Sequence, residues 1–191
     1  AFYDADCLYD TVPSPFGNDT RYLPQGEMRW TGERYRRKVM QTAAVIDSLG
    51  LPLVGLYGVE NESVVRDVAA ACKGDYAYLF RTTDSYNGLD FALFYFGDRF
   101  FPDRVEAGHF WMTAAGELRG AGRVCLLMSA SDRYIGYKIE EHRRQHPDER
   151  LLVAGRAAVL RTVGTPCGGT PCRTGYAPCG ESLGNAQQRV D

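Results

Sequence analysis

The chain has 191 residues, of which 45% are hydrophobic, and its 22 basic and 24 acidic side chains leave a formal net charge of −2. This length and composition predict one domain with a substantial core. A charge so close to zero provides no general positive field, so nucleic acid is a possible but unfavoured partner. No apolar run approaches the roughly 18 residues of a membrane span, so no transmembrane segment is predicted.

Strand and helix patterns alternate through the first part of the chain. Thr31 and Asn61 are good N-caps for two helices, and Gly50 with Pro52 ends the first of them. The predicted elements are a strand over residues 2–9, a loop over 10–32, a helix over 33–49, a buried strand from residue 53 and a helix over 62–73.

The first helix carries a basic cluster in its opening turns. Its members are Arg34, Arg36, Arg37 and Lys38. No aromatic platform interleaves with these charges in the sequence, so we expect a solvated helix face rather than a nucleic-acid site.

Strands dominate the rest of the domain. The first predicted elements are strands over 76–80 and 89–96, a loop or edge strand over 100–108, and a short strand over 109–112. A strand over 123–128, a helix over 134–146 that ends before Pro147, and a strand over 150–154 follow. This order predicts an α/β fold, a four-layer sandwich in which two mostly antiparallel sheets pack face to face with helices outside. The sandwich domain is predicted to span residues 1–163, and a Gly/Pro/Cys-rich tail spans 164–191.

Six cysteines fall into two groups. Cys7, Cys72 and Cys125 lie in apolar segments and are expected to act as small hydrophobic residues. The tail cysteines favour a disulfide or a metal site, although no fourth zinc ligand is apparent; they are Cys167, Cys172 and Cys179. The chain begins at Ala1, which indicates a removed leader and an oxidising, extracytoplasmic location, although a trimmed chain would begin in the same way.

The three histidines give no clear catalytic signal. His142 and His146 are four residues apart on the polar helix, a spacing that suits a zinc pair in principle. We expect both to be solvated surface residues, and His109 has no motif around it.

Three runs together resemble one known family. In order they are Trp30-Thr31-Gly32-Glu33-Arg34-Tyr35 with Lys38, Leu53 to Asn61, and Asn87-Gly88-Leu89-Asp90-Phe91-Ala92-Leu93-Phe94-Tyr95. Over residues 2–156 the chain resembles the endonuclease/exonuclease/phosphatase superfamily, and particularly its extracytoplasmic bacterial members. The resemblance implies a site in which an Asn and a Glu hold a divalent metal and a His and an Asp act on water and phosphate.

Several of the implied site positions carry other residues. Asp4 replaces the metal-side Asn and Asp90 is kept, so both are vestiges of the site. Asn87 replaces an Arg. At the lost positions, Gly58 replaces the Glu, and Met128 or a near neighbour replaces the His. Arg156 and Ala158 replace an Asp and an Asn. Glu60 is on the same strand face as Gly58 but about 6–7 Å further along, so it is better read as the residue that enters the next helix.

These losses lead to three hypotheses. The first is a catalytically degenerate, non-catalytic binding or structural subunit of an extracytoplasmic bacterial assembly, with protein partners and no cofactor. The second is a Mg²⁺-dependent phosphodiesterase or endonuclease with a non-standard metal site that uses Asp4, Glu60 and Asp90. The third is a phosphate- or nucleic-acid-binding module in which Arg156 contacts the anion.

Overall fold

A computed structural model describes residues 1–15, 19–83, 85–133 and 135–156. The elements are β1 (Phe2–Leu8), a 3-10 turn (Thr20–Tyr22), α1 (Gly32–Leu49), β2 (Leu53–Val59), α2 (Glu62–Ala71), β3 (Tyr76–Arg81), β4 (Asp90–Phe96), β5 (Phe100–Gly108), β6 (Trp111–Leu118), β7 (Gly122–Ser129), α3 (Ile135–Gln145) and β8 (Arg150–Gly155). The predicted tail, with its three cysteines, lies outside the described residues. None of the helices in the described ranges is long and apolar enough to cross a membrane.

The strands form two four-stranded sheets, in the orders β1-β2-β4-β3 and β5-β6-β7-β8. The pairs β1–β2 and β7–β8 are parallel, and the other four are antiparallel. Separate apolar clusters lie between α1/α2 and the first sheet, between the two sheets, and between the second sheet and α3. The predicted four-layer α/β sandwich is therefore confirmed.

β2 is one of the two inner strands of the first sheet, and all its residues are buried. Val54 and Leu56 pack toward the helices, whereas Leu53 and Tyr57 pack toward the second sheet. Alternate residues of a strand point to opposite faces, and both faces are covered here, so the run is apolar throughout. Burial of each large side chain contributes about 1.5–3 kcal/mol to folding.

The predicted helix caps are confirmed. Thr31 Oγ1 accepts a hydrogen bond from the Arg34 N–H at 3.4 Å, and Asn61 Oδ1 accepts one from the Val64 N–H at 3.1 Å. Gly50 ends α1 in the left-handed region at φ +56°. These caps fix where the chain leaves β1 and β2 for the helical layer.

The β5–β6 hairpin corrects the prediction for residues 100–118. Residues 100–108 form an edge strand, and the predicted short strand over 109–112 is wrong at its start, because His109 and Phe110 make the turn. β6 continues to Leu118 through Ala and Gly residues, which have low strand propensity. Gly116 is needed there because a side chain would collide with the Phe101 backbone of the paired strand.

The basic cluster of α1 is more structural than its sequence indicates. The charges of Arg34 and Lys38 each lie 5.6 Å from the ring centre of Trp30, so an aromatic partner is present after all. The Trp30 indole N–H donates to the Tyr9 carbonyl at 2.7 Å. These contacts tie α1 to the loop after β1, whereas Arg36 and Arg37 remain exposed as predicted.

Candidate functional site

A cavity of about 380 Å³ opens at one end of the sandwich, where strand ends and loops of both sheets meet. Its wall contains three aromatic residues, two arginines, a histidine and three smaller residues: Tyr57, Tyr86, Phe110, Arg133, Arg156, His109, Asn87, Ala130 and Ser131. Among the described residues that line it, none is acidic. The cavity therefore combines cationic and aromatic surface.

Tyr57 forms the floor of this cavity near the end of β2. Its ring centre is 4.7 Å from that of Phe91, and the Arg156 guanidinium carbon lies 5.2 Å from the Tyr57 ring centre on another side. The Asn87 side chain forms a hydrogen bond with the Tyr57 hydroxyl. Burial is the main cause that raises the pKa of Tyr57, so the phenol stays neutral.

Arg156 and Asp4 form an ion pair beside Tyr57. Arg156 Nε donates to Asp4 Oδ2 at 2.7 Å, and the Asp6 N–H donates to Asp4 Oδ1 at 3.0 Å. Arg156 follows β8, so the pair joins the second sheet to β1 of the first. Both carboxylate oxygens of Asp4 thus have donors.

Gly58 lies against this carboxylate. A Cβ at position 58 would be 3.0 Å from Asp4 Oδ1 and 3.2 Å from the Asp6 nitrogen. The backbone of Gly58 is at φ +86°, and the register between β2 and β4 shifts between Tyr57 and Val59. A Glu at this position would be strained as well as crowded.

Glu60 points to the loop after β1. Glu60 Oε2 accepts a hydrogen bond from the Asp10 N–H at 2.8 Å, and the Glu60 N–H donates to the Leu8 carbonyl at 3.1 Å. Burial, as the main cause, raises the pKa of Glu60 to about 7. Its bonding to the loop means that Glu60 does not take the place of the missing Glu at position 58.

Asp90 is buried and accepts hydrogen bonds from the β3–β4 loop. Asp90 Oδ1 accepts hydrogen bonds from the Thr83 N–H at 2.6 Å and from Thr83 Oγ1 at 2.9 Å. Met128 is fully buried between the sheets against Gly55 and does not line the cavity. Ala130 and Ser131, just beyond it, do line the cavity.

The described residues do not fit the Mg²⁺ site that the resemblance implies. Mg²⁺ needs several hard oxygen ligands in a tight octahedral arrangement. Asp4, Glu60 and Asp90 bind separate partners, and they do not converge as a ligand group. Ala158, the other predicted lost position, lies outside the described residues.

The histidines occupy two different places. His109 lies in the cavity wall, with its ring centre 4.5 Å from that of Phe110. The prediction that His142 is a solvated surface residue is wrong, because α3 packs this face onto β7 and β8 and leaves His142 8% exposed. His146 is partly buried one turn later.

The sequence reading missed the cavity residues that come from loops. Tyr86, Phe110 and Arg133 had no motif spacing to mark them, although aromatic and basic residues at strand ends were a usable signal. It also missed Glu149, which follows His146 by three residues and lies beside His142 and Cys125. That spacing was visible in the sequence, but the contribution of Cys125 from β7 required the fold.

Comparison with known proteins supports the same family. A sequence profile described as "Endonuclease/Exonuclease/phosphatase family" matches residues 1–126. No curated protein sequence matches the chain. A solved structure of truncated TDP2 from Caenorhabditis elegans has 12% identity and a TM-score of 0.53, over 71% of this chain and 61% of that chain.

Two Bacteroides thetaiotaomicron structures are similar to the chain at the same level. One is an endonuclease/exonuclease/phosphatase family protein, with 13% identity and a TM-score of 0.54 over 81% of this chain and 62% of that chain. The other is a mannosyl-6-phosphatase, with 14% identity and a TM-score of 0.51 over 81% of this chain and 63% of that chain. The chain covers less than two thirds of the length of each of these three structures.

The structural similarities, at such low identity, establish the fold alone. The profile match is broader evidence, because it extends over the first 126 of 191 residues and includes all three runs of the sequence resemblance. The chain belongs to the endonuclease/exonuclease/phosphatase family.

Proposed function

We propose that this chain is a non-catalytic binding protein whose cavity holds a phosphorylated ligand with a planar or aromatic group and does not hydrolyse it. The ion pair between Arg156 and Asp4 is the observation that carries this proposal. It places a permanent cation where a metal-dependent phosphoesterase of this fold would need its first metal-binding side chain.

The same ion pair argues against metal-assisted hydrolysis. A divalent ion at Asp4 would have to displace the Arg156 guanidinium and the Asp6 N–H, and it would then lie near the displaced positive charge. Gly58 supplies no second ligand next to Asp4. Without a metal, the developing charge of a phosphoryl transition state would lack its usual stabilisation.

The cavity wall favours an anion with a planar part. Arg133 and Arg156 supply cations that suit phosphate oxygens, and His109 adds a ring nitrogen. Tyr86, which is 83% exposed at the mouth, presents a ring on which a planar group stacks. The mannosyl-6-phosphatase with this fold is, by its name, an enzyme for a phosphorylated sugar, which supports a phosphomonoester as the ligand class.

Equilibrium binding of p-nitrophenyl phosphate tests this proposal, because that probe has both a phosphate and an aromatic ring. We expect saturable binding that weakens with added salt and becomes at least about tenfold weaker in Arg156→Gln. Arg150→Gln is the matched control, since Arg150 is exposed at the opposite end of β8. Equal affinity in the wild type and Arg156→Gln would overturn the proposal.

The phosphodiesterase hypothesis remains the second candidate, because Asp4 supplies a carboxylate next to Arg156 of the cavity wall and the family, by its description, includes phosphatases. Mg²⁺- or Mn²⁺-dependent cleavage of bis(p-nitrophenyl) phosphate that is lost in Asp4→Ala would support it over the binding proposal. Residual activity unchanged in Asp4→Ala would indicate contamination.

We also propose the predicted setting, an extracytoplasmic bacterial assembly with protein partners and tail disulfides. The supporting observation is in the sequence: three cysteines lie in the tail, and disulfides persist in oxidising compartments. Fractionation of the native host with mild crosslinking tests both parts. Recovery in the cytoplasmic fraction without a crosslinked partner would contradict them.

A further inference from the structure

A second polar cluster lies on the other side of the second sheet, away from the cavity just described. Cys125 on β7, His142 on α3 and Glu149 just before β8 bring one sulfur, one imidazole nitrogen and one carboxylate oxygen within 4.8 Å of one another. All three residues are buried, with exposures of 1%, 8% and 8%. Leu127, on the same strand face as Cys125, belongs to the apolar cluster under α3, so the polar group borders a hydrophobic layer.

Two atoms of this cluster have unfulfilled hydrogen-bonding capacity. His142 Nε2 and Glu149 Oε1 are buried and have no hydrogen-bond partner. His142 Nε2 is 3.3 Å from Glu149 Oε2, and Arg123 Nε is 3.0 Å from Glu149 Oε1, but these contacts lack hydrogen-bond geometry. Buried polar atoms without a hydrogen-bond partner destabilise a fold, so a ligand that binds both of them would stabilise this arrangement.

We propose that Cys125, His142 and Glu149 form a binding site for one Zn²⁺ ion that clamps α3 to β7 and to the start of β8. A thiolate, an imidazole and a carboxylate are a typical zinc donor set, and the sulfur disfavours Mg²⁺ and Ca²⁺. The thiolate and carboxylate together balance the two charges of the ion.

Room for the remaining coordination position is present. A small cavity of about 30 Å³ adjoins His142, enough for one water molecule. His146, one helical turn later, lies in its wall, with its ring centre 5.2 Å from that of His142. Lys138 also lies in the wall, but its ammonium group is paired with Glu141 at 2.5 Å.

The two arginines beside Glu149 do not prevent metal binding, because each has another carboxylate. Arg104 donates to Glu149 Oε2 at 2.7 Å and is also 3.9 Å from Glu106. Arg123 holds Asp103 through two nitrogens at 2.5 and 2.9 Å. When Glu149 turns to the metal, both guanidinium groups keep a counter-charge.

Cobalt substitution of the metal-stripped full chain tests the site directly. Co²⁺ bound to Cys125 produces a thiolate-to-cobalt charge-transfer band in the near ultraviolet, and Zn²⁺ abolishes the band by displacing Co²⁺. We expect one equivalent of Co²⁺ at this site in the wild type and in Cys72→Ser. Cys72→Ser is the control for the other free cysteine of the described residues. Cys125→Ser is expected to lose the part of the charge-transfer band that this Co²⁺ ion produces. Cobalt bound to other cysteines of the chain would leave its own part of the band unchanged.

Thermal unfolding provides a second readout. At a hundredfold excess of Zn²⁺ over its Kd, the Tm of the wild type should rise by about 5–10 °C. His142→Gln should lose this rise. If Cys125→Ser does not fold, His142→Gln is the variant that tests the site. A band and a Tm rise that persist unchanged in the variants, or a wild type that shows neither, would overturn the proposal.

Discussion

Arg156 Nε lies 2.7 Å from Asp4 Oδ2, so the residue that follows β8 neutralises a carboxylate on β1. The two side chains come from opposite sheets, and they are 29% and 16% exposed. This pair therefore joins the two sheets beside the cavity.

Separate and combined neutralisation of the pair should show strong coupling. In urea unfolding, Asp4→Asn and Arg156→Gln should each lower the unfolding free energy. The loss in the double variant should be about 1–3 kcal/mol smaller than the sum of the two single losses. The exposed pair Glu33–Arg37, at 2.9 Å, is the matched control, and its coupling should not exceed about 0.5 kcal/mol. Additive losses at Asp4 and Arg156 would contradict the role assigned to this ion pair.

Gly58 should tolerate a methyl group poorly. Gly58→Ala meets both a left-handed backbone and the Asp4 carboxylate, so we expect a loss of about 2–4 kcal/mol of unfolding free energy. Gly120→Ala has nearly the same φ, +82°, but open space around its Cβ, so it should lose only about 1–2 kcal/mol. Equal losses in chemical denaturation would show that crowding against Asp4 is unimportant.

The sequence predicted the fold well because its strongest signals are local. The apolar run of β2 and the caps Thr31 and Asn61 are determined by neighbours in the chain, and the structure has them where predicted. β6 was predicted too short, over 109–112, because the Ala and Gly residues of its second half have weak strand propensity and are held by pairing with β5 and β7. Tertiary context overrode propensity there.

The site was less predictable because its contacts join distant parts of the chain. Gly58 and Arg156 were identified as departures from the family, but the direct contact of Arg156 with Asp4 spans 152 positions. His142 was placed at the surface because its partners Cys125 and Glu149 come from β7 and from the turn before β8. Helical spacing alone does not reveal what packs against a helix.

Glu60 should make the stability of the fold depend on pH. Its pKa is raised from 4.5 to about 7 in the folded state, so the folded chain holds the proton more tightly than the unfolded chain. The resulting stabilisation is complete below about pH 4.5 and is lost as the pH rises through about 7. Relative to Glu60→Gln, the wild type should lose stability across that range, and the loss should stay well below ~3 kcal/mol because Glu60 is partly exposed and water screens its charge.

The Glu60 prediction is checked by urea unfolding of both chains at intervals between pH 4 and about 8. Glu117→Gln, on an exposed position of β6, controls for the loss of one negative charge. A difference between the wild type and Glu60→Gln that stays constant with pH would show that burial does not perturb this carboxyl.

Removal of the α2 cap should cost more than removal of the α1 cap. Asn61 accepts from the Val64 N–H at 3.1 Å and also donates to Asp10 Oδ2 at 2.9 Å, so Asn61→Ala should lose about 1–2 kcal/mol. Thr31 accepts from the Arg34 N–H at a longer 3.4 Å, so Thr31→Ala should lose about 0.5–1 kcal/mol. Denaturant midpoints measure both changes, and the reverse order would contradict the capping geometry.

The central claim, binding without hydrolysis, is tested most directly by a single-turnover experiment. Chain in molar excess over p-nitrophenyl phosphate is incubated with Mg²⁺ or Mn²⁺, and released p-nitrophenol is measured alongside the bound probe. We expect the probe to be bound and recovered intact. Metal-dependent release of p-nitrophenol that disappears in Asp4→Ala would contradict it.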